Sequence, residues 1–586
     1  MSESEEVKTS LRNNVWVERK INAANVQAMQ LKNGVCDTIA RILDSRGVDS
    51  SAVESFVNPT LKNDLPDPDI IAHMGKAASR IADAVQKKEK IAVFGDYDVD
   101  GVTSSAMMDL FLRSVGAEVV IKIPDRDDGY GAEVQDVDEF VALEAGLFIT
   151  VDCGTTAIET ARYAKEKKLD MIVVDHHEPG NVLPDALAIV NPKLEENGAD
   201  NPCRMMAAVG VVFMLVIAIS RELRKRNFYT ESTPEPDLRQ WMSLAAFGTV
   251  CDMVPLNGIN RLIVRSGIAL MAHKENLGMA VLAEVAGVKD SISNYHLSFV
   301  LGPRVNAGGR IGVANLGYRL LVSNNRDEAL DIAYKLNEMN IKRREIEQDV
   351  LLQSIEQIES KPQGNVVLVK GDGWHQGVVG IVAGRLKERY NSPAVVITVD
   401  GDNAKGSARS IPGFDLGAVI IKSVESGLLT QGGGHMMAAG FSLETAKIGE
   451  FKEELEKKYL ESKAALVQYN YLELDGYISI LGLNLELLKK MEEMEPYGEG
   501  NPEPVFAIEN VSLASMNVLE GGHVKCSLRS TNGGYINAIA FRAVDNEIGQ
   551  FLMKNKGEAF NVAGKASINR YRDRENPQFV ILDIMK

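Results

Sequence analysis

The sequence predicts an α/β protein of several domains, and three observations support this fold class. The chain has 586 residues, of which 45% are hydrophobic, and is long enough for roughly three or four domains. From Lys90 to about Pro192, apolar strand-like runs alternate with amphipathic helical patterns, which is typical of strand–helix–strand units and a parallel sheet. From residue 463 onward, short β-rich runs are separated by Gly and Asn, which favours a small barrel such as an OB-fold.

The first α/β region contains strand candidates that are apolar throughout. Because polar residues do not alternate with apolar ones, we expect these strands to be buried on both faces of the sheet. They are "IAVFG" (91–95), "EVVIKIP" (118–124), "LFITVD" (147–152), "MIVVDHH" (171–177) and "ALAIVNP" (186–192). Helical patterns follow to about residue 325. The longest apolar run, Met205 to Ile219, is shorter than the ~18 residues of a membrane span and predicts a buried core helix.

A second α/β region follows a long helical pattern. Residues 326–360 contain neither Pro nor Gly, which predicts a helix that connects two bodies. After "KPQG", the runs "NVVLVKG", "GVVGIVAGRLKERY" and "PAVVITVDG" predict a smaller α/β domain. The predicted organisation is an N-terminal flanking segment (1–60), a parallel-sheet domain (61–325), a connecting helix (326–361), a smaller α/β domain (362–462) and an OB-fold barrel (463–586).

Composition says more about the cellular location of the protein than about its function. The net charge of −17 argues against sequence-independent binding to nucleic acid over the whole surface, although it leaves room for a local basic groove. The cysteines are scattered without a CxxC pair, which suits a reducing compartment. The first residues, "MSESEEVKTSLRNN", lack an apolar core, so no signal peptide is expected and the expected location is cytoplasmic.

Acidic and imidazole residues follow the predicted strands. Carboxyl ends of parallel strands lie along one edge of a sheet, where functional groups gather. A lone Asp at a strand end is a turn or helix cap about four times in five, but independent caps do not explain acids at three strand ends together with adjacent histidines. The residues are Asp96, Asp98 and Asp100 in "GDYDVDG", Asp152 in "VDCG", Asp175, His176 and His177 in "DHH", and Asp252 in "FGTVCDMVPL".

This set of residues predicts a centre for divalent cations. "DYDVDG" fits the opening half of a calcium-binding loop, but Met107 occupies the position that requires a bidentate Glu, so calcium is the weaker interpretation. Carboxylates with imidazole and without thiolate favour Mn²⁺ or Mg²⁺. Six or seven such ligands suffice for two cations, which is typical of phosphoryl transfer. The residues therefore indicate a dinuclear phosphoesterase or phosphatase.

The same motifs resemble those of a known family. "GDYDVDG", "VDCG", "DHH" and "GTVCDMVPL" resemble the four motifs of the DHH phosphoesterase superfamily. "RVNAGGRIG" (304–312), "GSARS" (406–410), "GGGHMMAAG" (432–440) and "EPYGEGNPEPVF" (495–506) resemble the remaining motifs of the RecJ exonucleases, so the similarity runs from about residue 55 to the C-terminus. The resemblance implies a DHH catalytic domain, a DHH-associated domain and an OB-fold. It also implies 5′-to-3′ exonuclease activity that degrades single-stranded DNA to mononucleotides in DNA repair and recombination.

The resemblance also implies roles for individual residues. The implied metal ligands for two Mn²⁺ or Mg²⁺ ions are Asp98, Asp100, Asp152, His176 and Asp252, with Asp96 and His177 at the same centre. Asp175 is expected to orient an imidazole, and His177 either hydrogen-bonds the scissile phosphate or has an orienting role. Cys153, directly after the implied ligand Asp152, departs from the family's pattern, because many relatives carry Asn at this position.

An exonuclease must also recognise a strand end. A terminal 5′-phosphate suits bidentate Arg, a hydroxyl and glycine-loop amides, and the candidates are Arg126, Arg310, Ser407 and Arg409. An isolated surface Arg is more often a solvated charge, but Gly- and Ser-rich surroundings favour a binding role for Arg310 and Arg409. His435 is expected to contact the nucleotide chain or close the pocket from the second domain, with a structural glycine turn as the competing interpretation. The "KRREIEQD" segment is typical of a solvated helix face.

Two other functions remain as alternatives. A small-molecule or oligonucleotide phosphohydrolase would share the metal motifs, but it does not need an extended β-rich binding domain. A non-catalytic DNA-binding scaffold would have lost metal ligands that are present here. For the exonuclease, the resemblance implies single-stranded DNA as substrate, with single-strand-binding protein and a RecQ-type helicase as expected partners. We also expect no membrane association and a monomer.

Overall fold

The computed structural model describes residues 8–126, 129, 131–273, 276–289, 291–361, 364–462, 470–531, 533–555, 557–572 and 574–586. The predicted boundaries at 361/362 and 462/463 adjoin or fall on residues outside this part, as do residues 1–7 of the predicted flanking segment. Within the described residues the chain begins with a strand and short helices: β1 (Asn14–Glu18), α1 (Ala23–Asn33), α2 (Asp37–Ser45), α3 (Val53–Val57) and α4 (Leu61–Asp64).

A parallel sheet forms the centre of the first α/β body. Its elements are α5 (Met74–Lys87), β2 (Lys90–Gly95), α6 (Val99–Ser114), β3 (Val119–Lys122), α7 (Val134–Ala142), β4 (Ala145–Val151), α8 (Ile158–Glu166), β5 (Asp170–Val174) and β6 (Ala188–Val190). The strand order is β3-β2-β4-β5-β6, and all neighbouring strands in it are parallel. The strands are buried on both faces, as their unbroken apolar runs predict.

Helices complete this body and cover the sheet. They are α9 (Ala208–Lys225), α10 (Met242–Cys251), α11 (Gly258–Met271), α12 (Leu277–Val285), α13 (Gly302–Ile311) and α14 (Asn315–Val322). A short π-helix, His296–Leu301, leads directly into α13. The apolar run from Met205 to Ile219 lies largely in α9 and is buried there, which confirms the predicted core helix.

The predicted connecting helix is confirmed as α15 (Arg326–Ser360). Its N-terminus is capped by the Asn325 side chain, which accepts from the amides of Asp327 and Glu328. The second α/β body follows as β7 (Val367–Asp372), α16 (Gln376–Tyr390), β8 (Ala394–Asp400), β9 (Asn403–Arg409), α17 (Leu416–Glu425), β10 (Gln431–His435), β11 (Ala438–Glu444) and α18 (Ile448–Ser462). Its sheet, in the order β10-β11-β9-β8-β7, pairs β7 with β8 in parallel and the other neighbours antiparallel.

The C-terminal region forms the predicted barrel. Its elements are β12 (Asn470–Leu474), β13 (Gly476–Tyr477), α19 (Leu485–Glu493), β14 (Val505–Leu519), β15 (His523–Ser530), β16 (Tyr535–Ala540), α20 (Glu547–Lys554), β17 (Phe560–Tyr571) and β18 (Arg574–Met585). The order β14-β15-β16-β18-β17 closes on itself because β17 also pairs with β14. Closure removes the exposed edges that an open sheet would present.

The N-terminal segment packs against this barrel. β1 pairs in parallel with β12, and Met29 and Phe56 share an apolar core with Phe506 and other barrel residues. The buried Asp583 carboxylate accepts hydrogen bonds from Asn14 Nδ2 at 2.8 Å and from Trp16 Nε1 at 3.1 Å. The first and last parts of the chain therefore build one body, an association that the sequence did not predict.

Among the helices that the structure describes, none combines the length and the apolar character that crossing a membrane would require.

Candidate metal centre and strand-end site

The strand-end acids lie side by side. Gly95 at the end of β2 is in register with Val151 of β4, and Val151 is in register with Val174 of β5. Asp96, Asp152 and Asp175 are the next residues along these three strands. The parallel register therefore places the three carboxylates along one edge of the sheet.

The side chains converge in overlapping groups whose oxygen and nitrogen atoms lie within 4.8 Å of one another. The groups are Asp96 with Asp98 and Asp152, Asp100 with His176 and Asp252, and Asp152 with His176 and His177. His176 lies at the centre, with Nε2 3.4 Å from Asp152 Oδ1 and Nδ1 3.6 Å from Asp252 Oδ2. The structure thus brings together all the sequence-predicted ligands.

The start of α6 fixes two of these carboxylates. Asp98 caps the helix, accepting from the amides of Asp100 at 2.9 Å and Gly101 at 3.2 Å. Asp100 accepts from the amides of Ala208 at 2.7 Å and Val209 at 2.8 Å, in the first turn of α9. The positive end of the α9 dipole thereby offsets part of the Asp100 charge.

Backbone conformation fixes another ligand. Asp152 has a φ of 61°, in the left-handed region that non-glycine residues seldom occupy. It is buried, and its amide donates to the Val174 carbonyl at 3.0 Å. Holding a residue in this conformation costs about 1–3 kcal/mol of conformational energy, and such residues are concentrated at functional sites. The surrounding sheet therefore imposes the position of this carboxylate.

The carboxylates raise one another's pKa. Burial, reinforced by the charge of Asp98, raises the pKa of Asp96 and of Asp100 to about 7. Burial and the neighbouring aspartates also raise the pKa of Asp152 well above its ordinary value and that of Asp252 to about 9. Opposite charge nearby would stabilise the ionised forms.

The donor set fits hard divalent cations. Asp96 Oδ1 and Asp252 Oδ2 are buried and have no hydrogen-bond partner within the described part of the chain. Burial, followed by the charge of His177, lowers the pKa of His176 to about 4, so its imidazole is neutral, the form that binds metal. Buried carboxylate oxygens together with neutral imidazole suit Mn²⁺ and Mg²⁺.

Asp175 holds the neighbouring His177. Its Oδ1 lies 2.8 Å from His177 Nδ1 and accepts from the His176 and His177 amides, while Oδ2 accepts from the Thr155 amide at 2.9 Å. Burial alone would raise the pKa of Asp175, but the His177 and Thr155 contacts hold it below its ordinary range. Burial opposes a charged His177, yet the hydrogen bond to Asp175 raises its pKa overall. The imidazole that Asp175 orients is thus that of His177.

Two predicted arginines lie together beside the metal centre. The Arg126 guanidinium stacks 4.6 Å from the centroid of the Tyr97 ring, and its Nε donates to the Gly309 carbonyl at 3.2 Å. Arg310 Nη1 donates to the Gly377 carbonyl at 3.0 Å, which joins the first α/β body to the start of α16. Burial and the charge of Arg126 lower the pKa of Arg310 to about 10. Like charges held this close suit an anionic ligand.

Ser407 and Arg409 lie on β9 of the second body. Arg409 Nη1 donates to Ser407 Oγ at 3.1 Å. A Cβ at Gly380 of α16 would come within 3.0 Å of Ser407 Oγ and 3.2 Å of Arg409 Nη2, so glycine leaves these groups room. Three residues beside the predicted arginines were not predicted from the sequence: Gly377, Gly380 and Tyr97. Their signals were the glycines of "GVVG" and an aromatic residue inside the first acidic motif.

His435 reaches the metal centre from the second body. It lies at the end of β10, is exposed, and lines a cavity of about 330 Å³ together with His176, His177 and Asp252. Lys193, which lies in none of the predicted motifs, also lines this cavity. The cavity therefore has walls from both α/β bodies.

Two other expectations concern residues that are not predicted metal ligands. Cys153 is buried among apolar residues such as Phe148, and its thiol donates to the Val151 carbonyl at 3.6 Å, so it is a core residue. The prediction of a solvated face for "KRREIEQD" is wrong for Arg343 and Glu347. Both side chains are largely buried, because Glu347 pairs with Arg343 and with Arg385 of α16.

Comparison with known proteins gives matches along most of the chain. Family models match as the DHH family N-terminal domain over residues 90–249, the DHHA1 domain over 363–461 and the RecJ OB domain over 474–583. The single-stranded-DNA-specific exonuclease RecJ of Bacillus subtilis is 33% identical over 97% of this chain and 70% of its own length. That of Salmonella typhimurium is 33% identical over 93% of this chain and 95% of its own length.

Solved structures of RecJ also match this chain. The crystal structure of RecJ in complex with Mn²⁺ from Thermus thermophilus matches with a TM-score of 0.82 and 28% identity, covering 97% of this chain and 79% of that one. The corresponding complex with Mg²⁺ matches with a TM-score of 0.76 and 26% identity, over 97% of this chain and 78% of that one.

Proposed function

This chain belongs to the RecJ family of single-stranded-DNA-specific exonucleases, and from that premise we propose how its side chains carry out the reaction. The enzyme is a metal-dependent 5′-to-3′ exonuclease that degrades single-stranded DNA to mononucleotides, a reaction of DNA repair and recombination. Its cofactor is Mn²⁺ or Mg²⁺.

The overlap of the ligand groups at Asp152 and His176 carries this proposal. One cation is assigned to Asp96, Asp98 and Asp152, and a second to Asp100, His176 and Asp252. Because Asp152 belongs to one group and lies 3.4 Å from His176 of the other, the two ions would be neighbours. Paired cations are the usual arrangement for hydrolysis of a phosphodiester.

The protein's own groups then orient the substrate. When bound, the cations lower the pKa of a water molecule and offset the negative charge that develops on the phosphate. His176 serves as a neutral ligand. Asp175 holds the His177 ring through Nδ1, and we assign His177 Nε2 as donor to an oxygen of the scissile phosphate. Preorganised donors of this kind stabilise developing negative charge.

The strand end is assigned to the arginines. Arg310, Ser407 and Arg409 bind the terminal 5′-phosphate, Arg126 adds positive charge beside them, and His435 contacts the nucleotide chain where the two bodies meet. The Arg310–Gly377 contact joins the first body to the start of α16, and Gly380 of the same helix lies against Ser407 and Arg409. Both observations support one anion-binding region shared by the two bodies. With the terminal phosphate held there, the metal centre is expected to act on the phosphodiester nearest the strand end.

Degradation of a labelled oligonucleotide tests the function. A 5′-phosphorylated single strand, incubated with Mn²⁺ or Mg²⁺, is expected to give mononucleotides, whereas a chelator stops the reaction and blunt duplex is spared. His176→Ala is expected to abolish turnover, and His273→Ala, at an exposed histidine on the same body, is the matched control. Undiminished activity of His176→Ala, or intact DNA with both metals present, would refute the assignment.

Location and partners are part of the proposal. All the cysteines are free thiols, which supports a reducing, cytoplasmic setting. We propose single-strand-binding protein and a RecQ-type helicase as partners, because both would supply single strands to this enzyme, and we propose a monomer. Sedimentation of the purified chain, alone and with each candidate partner, tests these assignments.

A further inference from the structure

The short π-helix His296–Leu301 displays a pair of aromatic rings to solvent. Tyr295, directly before it, is 62% exposed and Phe299 is 68% exposed, and their ring centroids lie 5.4 Å apart at an interplanar angle of 33°. Leu297 and Leu301 point the other way and are fully buried. π-helical turns are rare and frequently lie at functional sites. The exposed aromatic pair is therefore a candidate ligand-binding site.

The position of the π-helix connects the metal centre with the barrel. On one side, Cys251 donates through its thiol to the Leu297 carbonyl, and Cys251 immediately precedes the ligand Asp252. On the other side, Asn294 Nδ2 donates to the carbonyl of Tyr497, in the turn that leads from α19 into β14. The segment therefore lies between the residue that precedes a metal ligand and the turn that leads into the barrel.

Nearby residues strengthen that link. Met253, the residue after Asp252, is 73% exposed, and the amide of Leu256 donates to the Glu499 carbonyl at 2.7 Å. The chain that leaves the metal centre is therefore fixed against the same turn of the barrel body. The exposed aromatic pair lies beside a rigid junction.

The chemistry of the segment fits nucleobases. Ser291 to Leu301 contains no Asp or Glu, in a chain with a net charge of −17, so a phosphate backbone meets no carboxylate from this segment. Aromatic side chains stack on the faces of unpaired bases regardless of sequence. We propose that Tyr295 and Phe299 form a stacking site for bases of the single strand on the barrel side of the metal centre. This inference rests on the proposed function.

Kinetics on two matched strands test the stacking site. The substrates are a 5′-phosphorylated strand with ordinary bases and a strand of the same length whose nucleotides beyond the first few are abasic. Tyr295→Ala combined with Phe299→Ala is expected to raise KM at least about fivefold for the strand with bases, with little change in kcat. On the abasic strand the variant and the original enzyme are expected to have the same KM, because there is no base to stack.

Two control variants keep the test specific. Tyr295→Phe combined with Phe299→Tyr retains both rings and is expected to keep the original KM, and Tyr334→Ala removes an exposed ring on α15 as a matched control. An unchanged KM in the double alanine variant, an equal loss on both strands, or a change in its oligomeric state would overturn the stacking site. Failure of the original enzyme to degrade either strand would instead contradict the exonuclease assignment, and the stacking site with it.

Discussion

Three carboxylates of the metal centre are each fixed by a different local interaction. Asp98 caps α6, Asp100 is bound by amides of α9, and Asp152 lies in a left-handed backbone conformation. These constraints act without the ions and keep like charges together, although their pKa values show that the arrangement is unfavourable on its own. The centre is therefore preorganised for cations.

Replacing Asp175 tests the orientation of His177. Asp175→Asn keeps the size of the side chain but removes the charge that holds His177 Nδ1. We expect a loss of about 10–100-fold in activity or in Mn²⁺ affinity, as is typical when a group that orients a metal-site residue is removed. The measurement is a Mn²⁺ titration of turnover. Asp185→Asn, at an exposed aspartate paired with Lys165, is expected to leave the titration unchanged.

The raised pKa values make metal binding pH-dependent. The pKa of Asp96 and of Asp100 moves from 3.8 to about 7, so in the metal-free protein their contribution to stability is complete below about pH 4 and is lost as the pH rises toward 7. Asp252, with a pKa of about 9, extends this loss to higher pH. Cations remove the repulsion. We therefore expect Mn²⁺ to raise the melting temperature of chelator-treated protein more at about pH 8 than at about pH 5. An equal rise at both pH values would contradict this account.

At the scale of elements, the close approach of α6 to the end of β2 positions the first acidic motif. A Cβ on Gly101, in the first turn of α6, would lie 2.6 Å from the backbone carbonyl carbon of Asp96. Only glycine lets the helix start so close to the strand. The carboxylates of Asp96, Asp98 and Asp100 therefore depend on this contact.

A pair of glycine substitutions tests that dependence. Gly101→Ala is expected to lower the free energy of unfolding by about 1–3 kcal/mol through overpacking and to lower activity, because Asp96 and Asp98 must shift. Gly384→Ala, inside α16, places a Cβ where no described atom outside its own helix backbone and chain neighbours lies within 4 Å. It is expected to be neutral or to stabilise by up to about 1 kcal/mol. Denaturant unfolding and turnover of both variants give the comparison, and equal effects would refute it.

The elements were largely predictable because their signals are local. Unbroken apolar runs defined β2, β4 and β5, and the parallel register then placed Asp96, Asp152 and Asp175 at one edge. Contacts between distant segments have no such signal. The pairing of Glu347 with Arg385 depends on how α15 and α16 pack, which periodicity does not reveal. The room that Gly380 of α16 leaves for Ser407 and Arg409 likewise depends on how α16 packs against β9.

At the scale of the molecule, a buried arginine joins the bodies. Arg261 of α11 is 1% exposed and stacks 4.1 Å from the centroid of the Phe56 ring. Its guanidinium donates to the carbonyls of Phe56 at 2.6 Å, Met494 at 2.9 Å and Glu495 at 2.9 Å. One side chain of the first α/β body thus donates to carbonyls of the N-terminal segment and of the residues that follow α19. Burial lowers the pKa of Arg261 to about 10, so it remains charged at neutral pH.

Removing the Arg261 guanidinium is expected to destabilise the packing between the bodies. Arg261→Met fills similar space but leaves buried carbonyls without their donor, which costs about 1–3 kcal/mol for each such group. We expect the free energy of unfolding to fall by at least about 2 kcal/mol. Arg319→Met, which removes an exposed ion pair with Glu328, is expected to change it by less than about 1 kcal/mol. Chemical denaturation measures both variants. An unchanged free energy of unfolding for Arg261→Met would show that the junction does not depend on this residue.

The parallel pairing of β1 with β12 has a consequence for how the protein is made. The two strands are about 450 residues apart in the chain. At ribosomal speeds of about 5–20 residues per second, the first strand waits roughly 20–90 seconds for its neighbour to be synthesised. During that interval the apolar faces of α1 to α3 have no barrel to cover them, so these helices reach their native packing only after the barrel strands have been synthesised.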